Sequence, residues 1–488
     1  MSGEWRRLDP RVVPALAVLV AGPLVPTAVV LLVAGASAGV FGAVVGIWAA
    51  IAVLLVGARA AEWYVSSYRV TAERVELRGG LLARSHRSLP RDRVRSVDLT
   101  ADPLHRLLGL AVVVVGTGAQ GEELRLDAVA RAEADRLRAE LLRRESTSDR
   151  TGALARLRPV WLLYSAVTMS MVLAVWGAIA SAFGSLSDLV QKFGLYREAG
   201  ELARSVPLWL AIGAPVAVLL VAGVLGALLL SVELWWGFTL TREDTGTLRV
   251  RRGLLTRRSI SLEQRRLRGV ELAEPLLLRW TGGARTHAIA TGLSEHAGGK
   301  NQPDSKTLLP PAPRAAALRV AAAVLGEPEF PADELVAHPR AALRRRIVRG
   351  LLAAAPVAIA AAVAAALGWC PVWTAVLVAV LAAGIGTAAG VDAHRNLGHR
   401  LHGRYLLARR GTGVRRTAAL QRSGIIGWRI EQSVFQRRAG LVDLVATSAA
   451  KPGRFAVPDV RTADALDFAE QAVPGLLEPF LERPEKRD

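Results

Sequence analysis

Four stretches of this chain lack any charged residue and alternate with segments rich in arginine. The uncharged stretches are residues 12–58, 159–187, 205–232 and 350–391. A helix of about 20 apolar residues spans the hydrocarbon core of a bilayer. The first and last stretches are long enough for two helices each, with turns at 35–39 and 368–371. The pattern therefore predicts six transmembrane helices in three hairpins.

The first apolar stretch has a second interpretation, as a signal peptide cleaved at Ala36-Ser37-Ala38. We favour the hairpin, because another apolar segment follows at once. The flanks of this stretch also match those of the later helix pairs.

Charge in the loops predicts the orientation. The loops within the first and third hairpins are uncharged, and residues 184–206, within the second, carry three basic and three acidic residues. The net charge of +20 therefore lies on the other side of the membrane. Because basic residues stay cytoplasmic, both termini and the soluble segments are expected inside a cytoplasmic membrane. Apolar residues within 186–206 suit a short amphipathic helix on the outer surface, and a plain loop is the alternative.

Each pair of helices is followed by a soluble segment, and the three segments are related copies. Counted from Gly80, Gly253 and Gly411, an arginine recurs at position 4, a leucine at 9, an arginine at 26 and a glycine at 29. The first two copies share more, as GLLARSHRSLPRDRVRSV and GLLTRRSISLEQRRLRGV show. A fixed period is the sequence signature of a repeat protein. The residues kept in all three copies are expected to serve the fold, with Arg415 undecided.

Alternating apolar and polar residues predict the elements of the first copy. Short strands are expected at 68–71, 74–78, 81–89, 94–99, 110–115 and 123–126. A helix follows, with Asp127 as its N-cap. Corresponding helices are expected at about 312–325 and 462–473. Each copy thus reads as a curled antiparallel sheet with one end closed by a helix.

These patterns predict six consecutive regions. They are a transmembrane hairpin at 12–58, a first soluble domain at 62–145, two transmembrane helices within 159–232 with an outer loop at 184–206, a second domain at 233–327, a third hairpin at 347–391, and a third domain at 400–478.

Four motifs stand out in the first copy: Tyr68-Arg-Val-Thr71, Arg78-Gly-Gly-Leu-Leu82, Leu89-Pro-Arg-Asp-Arg-Val94 and Arg106-Leu-Leu-Gly-Leu110. They resemble those of the bacterial pleckstrin-homology-like (PH-like) membrane proteins of the YdbS/YdbT type. The resemblance implies three small PH-like β-barrels or sandwiches, each capped by a C-terminal helix on the cytoplasmic face. It points to no enzyme chemistry. Copies two and three depart from the pattern at Pro90, where they have Glu263 and Gln421.

Arginines after the first glycine are the candidate ligand residues: Arg84, Arg87, Arg257, Arg258, Arg415 and Arg416. Guanidinium groups match phosphate oxygens, so the predicted ligand is an anionic lipid. The alternative is a solvated basic face that obeys the positive-inside rule. Arg106, Arg279 and Arg437 recur at fixed spacing and are expected to be structural, pairing with a carboxylate or a backbone carbonyl.

Other candidate chemistry is weak. Asp392, His394, His399 and His402 crowd one segment, but their spacing fits no standard metal motif and nearby arginines would repel a cation. Residues 116–121 are glycine-rich but lack a P-loop lysine, so a hairpin loop is expected there. We find no catalytic set, and no cofactor is predicted. The single cysteine excludes an intrachain disulfide framework. Few aromatic residues lie among the arginines, which disfavours nucleic acid.

The sequence therefore predicts a membrane-embedded binding or scaffold protein at the inner leaflet. Its expected partners are anionic lipids, with a membrane-protein partner or further copies of itself as additional candidates. Envelope maintenance or stress tolerance is the expected process. A component of a transport or export system is the alternative, although the uncharged spans offer no carriers for a proton or ion path. A lipid-modifying enzyme is the least favoured function.

Overall fold

The computed structural model describes residues 4–33, 37–80, 85–94, 96–116, 123–141, 152–166, 168, 176–177, 205–243, 246–291, 306–450 and 452–480. The chain divides into two units. One unit comprises residues 1–266 with 292–305, and the other comprises residues 267–291 with 306–488. The division falls inside the second copy of the repeat.

The described helices are α1 (Val12–Ala21), α2 (Leu24–Val33), α3 (Ala38–Val65), α4 (Pro103–Leu107), α5 (Arg131–Leu141), α6 (Val160–Ala166), α7 (Leu208–Trp235), α8 (Leu276–Trp280), α9 (Arg314–Leu325), α10 (Arg340–Ala366), α11 (Val372–Arg395), α12 (Val434–Arg438) and α13 (Thr462–Ala472). The strands of the first unit are β1 (Arg6–Arg7), β2 (Ser67–Val70), β3 (Arg74–Gly79), β4 (Ser85–Pro90), β5 (Ser96–Ala101), β6 (Leu110–Gly116), β7 (Glu123–Ala130), β8 (Gly152–Arg156), β9 (Thr239–Glu243), β10 (Thr247–Arg252) and β11 (Arg257–Glu263). Those of the second are β12 (Leu267–Pro275), β13 (Gly283–Ala290), β14 (Thr307–Pro313), β15 (Gly398–His402), β16 (Tyr405–Arg410), β17 (Val414–Gln421), β18 (Ile425–Glu431), β19 (Leu441–Ser448) and β20 (Arg454–Arg461).

Four helices in the described part of the chain are long and apolar enough to cross a membrane. They are Ala38–Val65, Ala217–Trp235, Arg340–Ala366 and Val372–Arg395. The first predicted span contains instead two ten-residue helices, α1 and α2, with Gly22 and Pro23 between them. Most of the third predicted span lies outside the described residues.

Glycines let α10 and α11 pack closely. A Cβ atom on Gly350 would lie 2.0 Å from the carbonyl oxygen of Gly386, and one on Gly390 would lie 2.7 Å from the carbonyl oxygen of Arg346. Small residues permit this backbone approach in membrane helices, where tight packing is a main driving force for association.

The three copies build the same elements at the same positions. Counted from Gly80, Gly253 and Gly411, a short helix occupies positions 23–27 in every copy, as α4, α8 and α12. The three starting glycines have φ of 102°, 105° and 127°, and the glycines at position 29 have φ between 64° and 72°. Side chains disfavour this left-handed region. Leu89, Leu262 and Leu420 are buried. The structure thus confirms that the shared glycines and leucine serve the fold.

Sheets continue from one copy into the next. In the first unit, β5 of copy one pairs antiparallel with β11 of copy two, within the strand order β7-β6-β5-β11-β10-β9-β8. In the second unit, β12 of copy two pairs with β17 of copy three, within the order β14-β13-β12-β17-β16-β15. The orders β1-β2-β3-β4 and β18-β19-β20 complete the described sheets. We call the β5–β11 pairing the first joint and the β12–β17 pairing the second joint.

A helix closes the core of each terminal copy. Helix α13 buries Ala465, Phe468, Ala469 and Ala472, which share one face, in the core of copy three. Helix α5 buries Ala134, Leu137 and Leu141 in the core of copy one. Burying one large aliphatic side chain contributes about 1.5–3 kcal/mol.

Asp127 is not an N-cap, and this prediction was wrong. Strand β7 continues through Asp127 to Ala130, which pairs with Leu110 of β6, and α5 begins only at Arg131. Pairing with β6 extends the strand past the point where the sequence alternation ends. The predicted hairpin loop at 116–121, apart from Gly116, and nearly all of the outer loop lie outside the described residues.

Candidate anion-binding site

The turn at residues 253–256 is hydrogen-bonded to the end of α7, whose last part is long and apolar enough to cross a membrane. Glu233 of α7 accepts hydrogen bonds from the backbone N–H groups of Leu255 (2.9 Å) and Thr256 (3.0 Å). The N–H of Gly253 donates to the carbonyl of Trp236 at 2.9 Å. The turn 253–256 and the arginines on both sides of it are thereby fixed against the end of α7. Trp236 is half exposed there, as tryptophan is at membrane–water interfaces.

A basic cavity of about 360 Å³ lies at this turn, beside the first joint. Its described lining contains six arginines and no carboxylate: Arg106, Arg131, Arg251, Arg252, Arg257 and Arg258, with Trp236, Gly237, Thr239, Gly253, Leu254 and Ser259. We call it the arginine cavity. A cavity lined in this way attracts anions, since guanidinium groups supply forked donors for carboxylate or phosphate oxygens.

Arg257 is in the most repulsive part of the cavity. Its pKa lies below the usual arginine value, first because Arg106 is close, then because of burial, and then because of Arg251 and Arg131. Every one of these contributions disfavours the positive charge. A bound anion would offset this repulsion.

The other arginines are held more firmly. Arg106 donates to the carbonyl oxygens of Leu254 and, at 3.2 Å, Leu255. Arg131 lies 3.2 Å from Asp135. The Arg252 guanidinium lies 4.7 Å from the centre of the Trp235 ring, a cation–π contact. Burial lowers the pKa of Arg258, and Asp98 partly offsets this effect.

The equivalent position in the second joint is neutralised by an acid. Arg415, which corresponds to Arg257, forms two 2.6 Å hydrogen bonds with the buried carboxylate of Glu274. The residue opposite Arg257 in the first joint is Ala101, and the residue opposite Arg415 is Glu274. At this position the first joint has an alanine and the second has a glutamate that pairs with the arginine opposite it.

The predicted ligand arginines lie in different surroundings. Arg257 and Arg258 line the arginine cavity. Arg87 is exposed on β4, and Arg84 lies outside the described residues. Arg416 is half exposed and lies 3.3 Å from Glu271. The prediction of a ligand role stays open for all six arginines.

The arginines at position 26 have the expected kind of partner in two copies. Arg106 bonds backbone carbonyls of the turn in copy two. Arg279 bonds Asp392 and, at 2.9 Å, Asn396. Asn396 in turn donates to the carbonyl of Gly411 at 3.1 Å, and Asp392 accepts from the N–H of Gly413 at 3.2 Å. In both joints this arginine therefore helps to fix the first turn of the next copy.

Sequence reasoning missed Arg131, Arg251 and Arg252 as members of the cavity. A signal for Arg251 was present, because an arginine stands two residues before the starting glycine in every copy, as Arg78, Arg251 and Arg409. Nothing in the local sequence placed Arg131, at the start of α5, beside the turn of copy two.

Among the histidines near α11, His399 forms a buried pair with His338. His399 Nδ1 lies 3.1 Å from Nε2 of His338, whose Nδ1 lies 3.3 Å from the carbonyl oxygen of Asp459. Asp459 has φ of 60° and is fully buried, with Arg345 and Arg346 (2.7 Å) at its carboxylate. Across the described ranges, no group of three or more histidine, cysteine or acidic residues is arranged to hold a metal ion.

Comparison with known proteins bears on the three copies. A family model described as Bacterial PH domain matches residues 16–145, 199–324 and 351–472, which together are well over half of the chain. No curated protein and no solved structure matches this chain. The three matches confirm that the chain contains three bacterial PH-like repeats.

Proposed function

The chain belongs to the bacterial PH domain family, and from this premise we propose that it is a non-enzymatic binding protein of the cytoplasmic membrane. Six spans would place its three PH-like domains and both termini on the cytoplasmic side. Its ligand is the phosphate-bearing headgroup of an anionic phospholipid, bound in the arginine cavity. Envelope maintenance or stress tolerance is the process that such a protein would serve.

The observation that carries this proposal is the concentration of positive charge in the arginine cavity. Six arginines line it without a described carboxylate, and like charges lower the pKa of Arg257. The second joint supports the same conclusion by contrast, since Glu274 neutralises Arg415 there. The second joint shows that an acid at this position is compatible with the strand pairing. Strand pairing alone therefore does not require the excess of arginines in the first joint.

The position of the cavity favours a lipid. Trp236 and Gly237 line it directly after α7, whose last part is apolar enough to cross a membrane. The end of such a helix lies at the level of the headgroups. Each basic residue near an anionic leaflet contributes about 1 kcal/mol of attraction, and headgroup phosphate oxygens would reach the guanidinium groups from the same side.

Binding of short-chain phosphatidylglycerol to the purified full-length protein tests the proposal. Arg257→Gln is expected to weaken binding about tenfold, because a hydrogen bond to a charged group is worth about 1.5–3 kcal/mol. Ala101→Glu is expected to weaken it similarly, because it copies the acid of the second joint. Isothermal titration calorimetry in neutral detergent measures both affinities.

The matched control is Arg136→Gln, which removes one exposed arginine of α5 that does not line the cavity, and it is expected to bind as the wild type does. Competition by inorganic phosphate separates recognition of phosphate alone from recognition of the lipid. Wild-type affinity in both Arg257→Gln and Ala101→Glu would disprove the assignment, as would an equal loss in the control.

A further inference from the structure

The two joints between copies share one register. Counted from the starting glycine of each copy, positions 4, 5, 6 and 9 of the later copy lie opposite positions 21, 20, 19 and 16 of the earlier copy. In the first joint these pairs are Arg257↔Ala101, Arg258↔Thr100, Ser259↔Leu99 and Leu262↔Ser96. In the second they are Arg415↔Glu274, Arg416↔Ala273, Thr417↔Leu272 and Leu420↔Gly269. The joint is therefore a repeated structural feature.

Two strands that correspond to joint strands, β4 and β18, lie at the edges of the described sheets. In the described sheets, β4 of copy one corresponds to β11 and β17 and has only β3 as a neighbour. Strand β18 of copy three corresponds to β5 and β12 and has only β19 as a neighbour. An edge strand offers a row of backbone donors and acceptors to another chain. In each joint, a strand equivalent to β18 pairs with a strand equivalent to β4. The two unpaired edges could therefore pair with each other in the same way.

The residue at position 19 is buried in both joints but exposed on the edge strand β18. Leu99 and Leu272 occupy this position in the two joints and are 1% and 0% exposed. Ile430 occupies it in β18 and is 44% exposed. Ile426, on the same strand, is 64% exposed. Copy three thus keeps an apolar residue at a position that is buried in both joints, and leaves it exposed on its edge strand.

The arginine at position 26 gives a second sign of a missing neighbour. Arg106 bonds the first turn of copy two, and Arg279 bonds Asp392, which holds the first turn of copy three. Arg437 is the equivalent residue of copy three and is exposed. Among the described residues its guanidinium has no hydrogen-bond or ion-pair partner. A further copy with its own first turn would supply one.

We propose that strand β18 of one molecule pairs antiparallel with strand β4 of a second molecule of this chain, in the register of the two joints. Ile430 then lies opposite His86, Glu431 opposite Ser85, and Gly427 opposite Leu89. Arg87 then faces Arg429, which lies 3.0 Å from Glu431. The contact is head-to-tail, so it extends into a ring or an open row of molecules. A row of this kind keeps every molecule in one membrane orientation.

Disulfide trapping between two tagged chains tests this contact. Both chains carry Cys370→Ser, which removes the only native cysteine. One also carries His86→Cys and the other Ile430→Cys; both sites are exposed. Directly opposite residues have Cβ atoms about 4.5–5.5 Å apart, close to the range that a disulfide needs. Oxidation of membranes that contain both chains is expected to give a mixed dimer carrying both tags.

Ser85→Cys paired with Ile430→Cys is the control, because Ser85 projects from the other face of β4, and it is expected to give several-fold less mixed dimer. Equal yields in the two pairs would overturn the proposal. Dimers formed by the Ile430→Cys chain alone would instead indicate pairing of β18 with itself. A product confined to one chain, obtained with both cysteines on that chain, would indicate closure within the molecule.

A second measurement does not depend on the cysteines. Ile430→Asp places a charge at an exposed site and is expected to shift the detergent-solubilised protein to smaller assemblies in light scattering. A monomeric wild-type protein, or an unchanged distribution in Ile430→Asp, would count against the head-to-tail contact.

Discussion

At the residue scale, Ala101 and Glu274 give the two joints different charges opposite equivalent arginines. Both residues lie opposite an arginine four positions after a turn glycine. Glu274 is buried and accepts bonds from Arg415 and Arg314, and Asp333 also accepts from Arg314, so two carboxylates face these two arginines. Ala101 offers no acceptor side chain. The two joints share the same strand register. Because Ala101 replaces the acid of the second joint, the first joint is the one suited to an anion.

A buried histidine makes the second unit sensitive to acid. The pKa of His338 is lowered to about 4, first by burial and then by His399, while Asp459 opposes the shift. An unfolded histidine has a pKa of about 6.5. Above pH 6.5 both states are neutral and this residue contributes nothing. As the pH falls from about 6.5 to 4, the unfolded state binds more protons, so stability falls by up to about 3 kcal/mol.

We therefore expect His338→Gln to reduce the pH dependence of unfolding between pH 7 and pH 5, with the remaining slope coming from His287, whose pKa burial lowers to about 3. Chemical denaturation of the full-length protein in detergent, followed by tryptophan fluorescence, measures the slope. His402→Gln is the control, because His402 is only partly buried on the neighbouring strand β15. A His338→Gln protein with the wild-type slope would show that this histidine does not set the acid sensitivity.

At the element scale, the sequence predicted what lies inside each copy better than what joins the copies. Alternation placed the strands of copy one, since it reports which face of a strand is buried. It does not report which strand lies alongside, so the pairing of β5 with β11 could not be predicted. For the same reason Arg257 and Arg258 were found from the repeat, whereas Arg131 was not. The end of β7 was missed because pairing with the preceding strand β6 extends it past Asp127, beyond the alternation of the sequence.

Close packing of α10 and α11 depends on glycines at defined positions. A Cβ on Gly386 would lie 2.5 Å from the carbonyl oxygen of Gly350, while one on Gly384, on the same helix, would meet nothing within 4 Å. Gly386→Leu is expected to destabilise the hairpin by about 1–3 kcal/mol through overpacking. Gly384→Leu is the matched control and is expected to unfold near the wild-type temperature. Thermal unfolding in detergent compares them, and equal melting temperatures would contradict this packing.

At the scale of the whole molecule, the proposed lipid site and the proposed contact between molecules both require one orientation. The arginine cavity follows the end of α7, and β4 and β18 belong to soluble copies that follow membrane-length helices. All of them must face the same compartment for anionic lipid to reach the cavity and for neighbouring molecules to join. The basic residues of the soluble copies favour the cytoplasmic side.

The single cysteine offers a direct test of this orientation. Cys370 lies between α10, which ends at Ala366, and α11, which begins at Val372, and it is partly exposed. With both termini inside, this turn faces outward. A membrane-impermeant maleimide is therefore expected to label Cys370 in right-side-out vesicles without detergent. A Cys370→Ser, Ser85→Cys protein is expected to be labelled only after the vesicles are opened, because Ser85 lies in the first soluble copy. The reverse pattern would place the soluble copies outside, where neither the lipid of the inner leaflet nor the cytoplasm is available to them.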